Sequence, residues 1–399
     1  MSDSDSHPLN PNGMRVVLVL QGGGALGAYQ AGVYEALHEH GLVPDWVVGT
    51  SIGAINAALL AGNRHENRVQ RIREFWERIA QRDPVNPAWM TEAQRRQNIR
   101  MSTLQAMVSG IRGFFRPRPF NPFAFGMSVP AEQASYYDTD ELNATLEELV
   151  DFDVLNSAEG MRLTVNALRV ATGGLVSFDS LDEGRITADH IRASGALPPG
   201  FPAVRIGGEL YWDGGLYSNT PLQTVLDDTR RPVDTLCFMV DLWSAQGPEP
   251  DTLEEVQTRL KDVTFASRSQ RHLDDYVKMR RLQQKLRELY ASIPPQQRNA
   301  RHAHDLADLG CDTTLHVVRI PYAGHDWHMP LKDINFSRGS VEWRWSQGYA
   351  DAQRAVSAAG WLAFVSEDTP LVVHDLPPQP DSPATGTVQL PLGRKEAVR

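Results

Sequence analysis

Apolar and polar positions alternate between two regimes along the chain. Short, continuous apolar runs end in glycine or small polar residues, and stretches with helical period follow them. The first run, Arg15-Val16-Val17-Leu18-Val19-Leu20, is apolar on both faces, which predicts a strand buried inside a parallel sheet. Gln21-Gly22-Gly23-Gly24-Ala25-Leu26-Gly27 come next, then a helical pattern from Ala28 through Leu37 with Gly41 as its stop. A second β-branched run, Val47-Val48, ends in Gly49-Thr50-Ser51-Ile52-Gly53 and leads at once into a small-residue helix, Ala54 to Ala61, closed by Gly62-Asn63.

Further on, Val69, Ile72, Phe75, Trp76 and Ile79 recur at helical spacing within the charged stretch 64–108, as on a helix packed against the sheet. Gly110 to Pro130 reads differently. Phe114, Phe115, Phe120, Phe123 and Phe125 stand among prolines, which suits neither a helix nor an interior strand. Two readings stay open for it: a loop whose rings tuck into the core, or a mobile flap at an apolar acyl pocket or lipid surface. Thr139 to Val150 is helical by period. Leu163 to Leu168 and Leu175 to Phe178 form a hairpin about Thr172-Gly173-Gly174, and Val204 to Ile206 and Glu209 to Trp212 form another about Gly207-Gly208. Ile186 to Gly195 predicts a short helix, and the prolines and glycines of Ala193 to Pro202 force irregular backbone. Thr235 to Val240 and Thr314 to Ile320 read as further strands. Thr252 to Ile293 reads as one or two charged amphipathic helices with solvated faces, and Val341 to Ala358 as a helix.

Composition narrows the choices. With 399 residues, 41% hydrophobic and 22% charged, the chain can build a sizeable core. A formal charge of −10 without a basic stripe argues against nucleic acid as a partner. Cys237 and Cys311 lie far apart in apolar runs and are expected as buried free thiols, not a disulfide or metal site. Met1 to Asn12 lacks a secretory pattern, and no stretch approaches 18 uninterrupted apolar residues, so a cytoplasmic protein is expected.

Three places carry candidate chemistry. Gly49-Thr50-Ser51-Ile52-Gly53 puts a serine at the apex of a strand–turn–helix, with its hydroxyl at the positive end of the helix; a helix N-cap is the alternative role. The Gly22-Gly23-Gly24 loop presents backbone N–H groups at another helix start and suits an anion. It matches G-x-G-x-x-G, but the next strand ends in Gly49-Thr50-Ser51 where a ribose-binding acid is wanted, and no Lys-Ser/Thr follows as in a P-loop. An oxyanion hole is the remaining reading, because adjacent parallel strands bring both turns to one sheet edge. Asp213, after Tyr211-Trp212 and before Gly214-Gly215, is either a shielded base or an Asp-Gly turn residue. A Ser-His-Asp triad through the His325–His328 cluster is disfavoured, since only two strands precede Ser51, and a metal there lacks a third ligand.

Gly22 to Gly27, Gly49 to Gly53, Ala193 to Pro202 and Asp213-Gly214-Gly215 occur in the order seen in patatin-like phospholipases, and over residues 15–245 the chain resembles that family. The resemblance implies an α/β fold, a three-layer α/β/α sandwich on a mainly parallel sheet, and hydrolysis of acyl esters of lipids. It implies that Ser51 is the nucleophile, that Asp213 completes a Ser–Asp dyad, and that Gly22, Gly23 and Gly24 form the oxyanion hole. Gly49, Gly53, Gly214 and Gly215 would support the turns. Asp333 to Ser337 and the helix after them resemble the C-terminal extension of some bacterial patatin-like proteins. The expected organisation is a disordered start at 1–13, a catalytic domain at 14–245, an extension at 246–365 packed on the same core, and a disordered tail at 366–399. No cofactor or metal is expected; the partner is an acyl-ester or lipid substrate, with a lipid surface as a further contact. A dinucleotide-binding protein using Gly22–Gly27, or a catalytically silent lipid-binding module, is the alternative.

Overall fold

Strand β1 (Arg15–Leu20) is buried on both faces and sits inside a nine-stranded sheet. The computed structural model describes residues 13–83, 91–118, 126, 128–182, 184–228, 230, 233–266, 269–298, 313–323, 331–358 and 371–376. Helix α1 (Gly27–Glu39) leads to β2 (Trp46–Thr50), which pairs parallel to β1 and runs into α2 (Ile52–Ala61). Helices α3 (Arg68–Ile79) and α4 (Glu92–Ser109) follow, the latter opened by a capping box between Thr91 and Gln94. After a two-strand ribbon, β3 (Arg116–Pro117) with β4 (Tyr137–Asp138), come α5 (Asp140–Leu149) and α6 (Phe152–Leu155).

Strand β5 (Arg162–Arg169) lies parallel to β2 and pairs antiparallel with β6 (Leu175–Asp179). Helix α7 (Ala188–Ser194) then leads to the hairpin of β7 (Val204–Ile206) and β8 (Glu209–Asp213), and β8 adds antiparallel to β5. The short α8 (Leu222–Leu226) returns the chain to β9 (Thr235–Asp241) on the other flank of β1. Helices α9 (Leu253–Phe265) and α10 (Ser269–Ser292) precede β10 (Leu315–Pro321), and α11 (Arg338–Ala358) precedes β11 (Leu371–Asp375). The strand order is β11-β10-β9-β1-β2-β5-β8-β7, with β6 also on β5, so six neighbouring strands are parallel and the rest antiparallel.

The double-sided apolar pattern of β1 explains the layers. Val16, Leu18 and Leu20 join the core under α1, α2, α3 and α11, whereas Val17 and Val19 join Leu222, Val225 and Leu273 of α8 and α10 on the opposite face. Strand β9 divides the same way, with Leu236, Phe238 and Val240 on one face and Cys237 and Met239 on the other. Because successive strand residues point to opposite faces, a strand covered by helices on both sides must be apolar at every position. The result is the expected three-layer α/β/α sandwich on a mainly parallel sheet.

The structure decides one open reading and changes one expectation. Phe114 and Phe115 are buried, with rings against Phe75, Phe201, Phe336 and Tyr137, so for this half of the stretch the core reading holds. Phe120, Phe123 and Phe125 lie outside the described residues, as do Cys311, His325 and His328. Within the segment expected to be a disordered tail, Leu371–Asp375 pairs in parallel with β10 and closes one edge of the sheet; its apolar run Leu371-Val372-Val373 is too short to stand out from the polar, proline-rich sequence around it. The C-terminal part is joined to the N-terminal half by close backbone contact as well. A Cβ on Gly32 of α1 would overlap the Trp345 carbonyl, and one on Gly348 of α11 would overlap the Tyr29 carbonyl. Only hydrogen at both positions lets the two helix backbones approach so closely.

Candidate active site

The site is built where β1, β2, β5 and β8 end or cross one level of the sheet. Leu20 lies opposite Gly49, and Thr50 lies opposite Asn166, so Ser51 and Ala167 are level one residue further on. Ala167 is in turn paired with Asp213 across β5 and β8. The row therefore carries Ser51 and Asp213 two strands apart, about 10 Å along the hydrogen-bonding direction.

Ser51 has φ 56° and ψ −124°, a left-handed conformation that non-glycine residues seldom adopt. Such strain persists only where the surroundings over-determine it. Here, a Cβ on Gly49 would strike the Gly53 carbonyl and one on Gly53 would strike the Leu20 carbonyl, so strand, turn and helix are compressed against β1. The Ser51 hydroxyl caps nothing, although the residue stands at the N-cap of α2. The capping role is thereby set aside, and the hydroxyl is held at the positive end of a wholly buried helix. The Ser51 N–H donates to Ser194 Oγ at 3.0 Å, and that hydroxyl donates to the Asn166 carbonyl at 2.7 Å. Ser194, the last residue of α7, thus ties the serine turn to β5.

Asp213 is 3% exposed. Burial raises its carboxyl to about 7, against the opposing effects of the Gly215 N–H, which donates to Oδ1 at 2.7 Å, and of hydrogen bonding with the Ser51 side chain. Gly214 is pressed against the Asn166 carbonyl, which leaves no space for a side chain there.

The glycine loop abuts the serine: a Cβ on Gly22 would stand 3.0 Å from Ser51 Cβ. Of the three N–H groups expected to face an anion, that of Gly22 is already spent on the Asn219 carbonyl at 3.2 Å. Those of Gly23 and Gly24 find no acceptor among the described residues. Their directions are fixed from behind, since the C=O and N–H of one peptide point opposite ways. The Gly22 carbonyl accepts from Asn219 Nδ2 at 3.0 Å and Trp243 Nε1 at 2.7 Å, and the Gly23 carbonyl accepts from the Leu26 N–H at 3.1 Å. Gln21, fully buried, accepts from the Leu242 and Trp243 N–H groups through Oε1 and so sets the tryptophan in place. Gln21, Ser194, Asn219 and Trp243 were not foreseen. The Asn219-Thr220-Pro221 run after Asp213-Gly214-Gly215 was visible in the sequence, but nothing in it pointed to the glycine loop. Among the described residues no group of three or more His, Cys, Asp or Glu could hold a metal ion, and no helix is long and apolar enough to cross a membrane.

The family model described as patatin-like phospholipase matches residues 18–226, more than half of the chain. The chain belongs to the patatin-like phospholipase family. A second model, described as patatin phospholipase, matches residues 263–368, so the C-terminal part has family precedent too. The chain is similar to triacylglycerol lipase ptl3 of Schizosaccharomyces pombe, 43% identical over 58 residues, 14% of this chain and 12% of that protein. It is similar to an uncharacterized NTE family protein of Mycobacterium tuberculosis, 27% identical over 235 residues, 56% of this chain and 32% of that one. The matches thus span a third or less of these relatives. Among solved structures, VipD from Legionella pneumophila aligns over 86% of this chain and 67% of its own, at 14% identity and a TM-score of 0.39.

Proposed function

We propose that this protein is a serine acyl-ester hydrolase working through a Ser51–Asp213 dyad. The observation that carries the reading is the pairing of a strained, non-capping serine with a buried carboxylate whose pKa stands near 7. Asp213 accepts the Ser51 proton as Oγ attacks the ester carbonyl, and the N–H groups of Gly23 and Gly24 hold the oxyanion. The carbonyl re-forms, the leaving alcohol takes the proton from Asp213, and water then attacks the acyl-enzyme by the same route. A carboxylate with no imidazole between it and the serine must owe its basicity to shielding, and burial supplies that. The loop suits a small oxyanion better than a dinucleotide pyrophosphate, because Leu242, Trp243 and the Asp333 backbone already pack against Gly23 and Gly24.

Lipid esters are the substrate class that the surroundings favour. Leu216 and Tyr217, in the turn after Asp213, are exposed, and α9 carries Leu253, Val256, Leu260 and Val263 exposed along one side. The C-terminal end of α9 is fastened to the site, its Phe265 carbonyl accepting from Asn219 Nδ2 and Gln21 Nε2. An apolar rim around the mouth suits contact with a lipid surface.

The test is turnover of a chromogenic acyl ester beside labelling by a fluorophosphonate. Ser51→Ala is expected to abolish both and Asp213→Asn to remove nearly all turnover, each with a wild-type far-UV circular dichroism spectrum. Near-normal rates in either folded variant refute the dyad.

A further inference from the structure

We infer that Arg344, with the Leu331–Ser337 strap that it holds, is a positioning residue for the glycine loop, so that the C-terminal extension sets the aim of the oxyanion donors. The inference rests on the reading of Ser51 as the nucleophile. It starts from the geometry of three consecutive peptides. The Gly22–Gly23 and Gly23–Gly24 peptides are held through their carbonyls by Asn219, Trp243 and Leu26. The Gly24–Ala25 peptide is held from outside the catalytic half: the Ala25 N–H donates to the Asp333 carbonyl at 2.8 Å. Gly24, at φ 55°, lies so close beneath that carbonyl that a Cβ would overlap it.

Arg344 holds Ala25 by its carbonyl, as the Asp333 carbonyl holds it by its N–H. Its Nη1 donates to the Ala25 carbonyl at 3.1 Å and to the Asn335 carbonyl at 3.0 Å, and its Nη2 donates to the Lys332 carbonyl at 2.9 Å. One wholly buried guanidinium therefore joins the strap and the end of the glycine loop into one unit. Its planar fork of donors fixes the relative orientation of three carbonyls, which a single flexible ammonium cannot do. A second tie fastens the strap to α9, where Lys261 Nζ lies 2.8 Å and 2.9 Å from the two Asp333 carboxylate oxygens. Oxyanion donors act only when aimed at the tetrahedral oxygen, and a shift of about 1 Å costs on the order of 100-fold in rate. Slack in the strap is therefore expected to appear in the acylation transition state and not in substrate binding.

The experiment uses full-length Arg344→Met, Arg344→Lys, Lys261→Met and Ser51→Ala. Each is assayed for kcat and KM on a soluble p-nitrophenyl ester and for affinity toward an acyl trifluoromethyl ketone, which forms a tetrahedral oxyanion adduct on serine. Arg344→Met is expected to lower kcat about 30-fold with KM within about threefold, and to weaken the ketone adduct by the same factor as kcat/KM. Arg344→Lys should recover part of that loss. Lys261→Met, which frees the partly buried Asp333 carboxylate but leaves the Arg344 bonds in place, should show a smaller fall with the same kcat bias. The inference is overturned if folded Arg344 variants bind the ketone as wild type does, or if their loss lies wholly in KM. Where the Arg344 variants do not fold, unchanged kcat and ketone affinity in Lys261→Met overturn it equally. Turnover surviving in Ser51→Ala instead refutes the nucleophile, whatever the strap variants do.

Discussion

Asp213 is where function and stability pull against each other. In the proposed dyad the base must be ionised to take the Ser51 proton, yet Asp213 is buried where ionisation is unfavourable, and its pKa stands at about 7 instead of 3.8. The rate profile should therefore show kcat/KM of a soluble ester rising with pH through about 7. A limb near pH 4 would mean that burial does not raise the Asp213 carboxyl, and a limb that survives in Asp213→Asn would mean that another group is the base. Stability runs the other way. A carboxyl whose folded pKa is raised contributes stability in full below its unfolded value near 3.8, and that contribution is lost as pH rises through the folded value near 7. Asp213→Asn removes the buried charge while keeping the shape. Its stability relative to wild type should climb by about 3 kcal/mol between pH 5 and pH 7 and level off above, read as a growing and then constant difference in melting temperature. A constant difference across that range would contradict the burial cost. Ser51 and Asp213 stand out in the sequence as candidates because their turns are local, strand–Ser–helix and aromatic–Asp–Gly-Gly. Ser194, Asn219, Trp243 and Arg344 do not, because each acts by pinning a backbone group 143 to 319 residues away. No periodicity encodes a bond of that length.

At the scale of elements, α9 differs most from its sequence pattern. The charged run 252–293 reads as helices with solvated faces, and Thr252 does cap α9 by accepting from the Glu255 N–H. Yet Leu253, Val256, Leu260 and Val263 recur at three- and four-residue spacing, within an arc of about 80° at 100° per residue. Thr258 and Asp262 on the opposite side are buried, and Asp262 lies 2.6 Å from Lys332 Nζ. The helix therefore turns its polar side inward and its apolar side to the surroundings, an inversion intelligible only once the strap and the glycine loop are seen beneath it. Leu260→Glu with Val263→Glu should lower the rate on phospholipid vesicles about tenfold, by removing buried apolar area at the interface, and leave a soluble ester unaffected. Equal losses on both substrates would show that the stripe shapes the catalytic site and does not meet lipid. The phenylalanine-rich stretch makes the converse point. The sequence leaves Phe114 and Phe115 open between core and flap, and they are core because Phe75, Phe201 and Phe336 arrive from distant parts of the chain.

For the whole molecule, the question is whether catalytic half and extension unfold as one. The sheet gives a physical reason to expect that they do. β1 lies between β2 and β9, β9 is flanked in turn by β10, and β11 ends the same parallel run, so no layer boundary separates the two halves. The α1–α11 contact adds a second seam, where Gly32 and Gly348 bring the helix backbones together. Cooperativity follows from such shared burial, because neither half can expose its side of the seam without stranding the other. Thermal unfolding followed by tryptophan fluorescence and by far-UV circular dichroism should therefore coincide in a single transition. Gly348→Val tests the seam directly. It forces a branched side chain into the Tyr29 carbonyl and should cost about 3 kcal/mol by overpacking, with the whole transition moving down together. The esterase rate should fall with it, since α11 carries Arg344 four residues before Gly348 and delivers it to Ala25. If the variant instead shows an early transition that spares turnover, the extension is an independent unit and its hold on the glycine loop is dispensable.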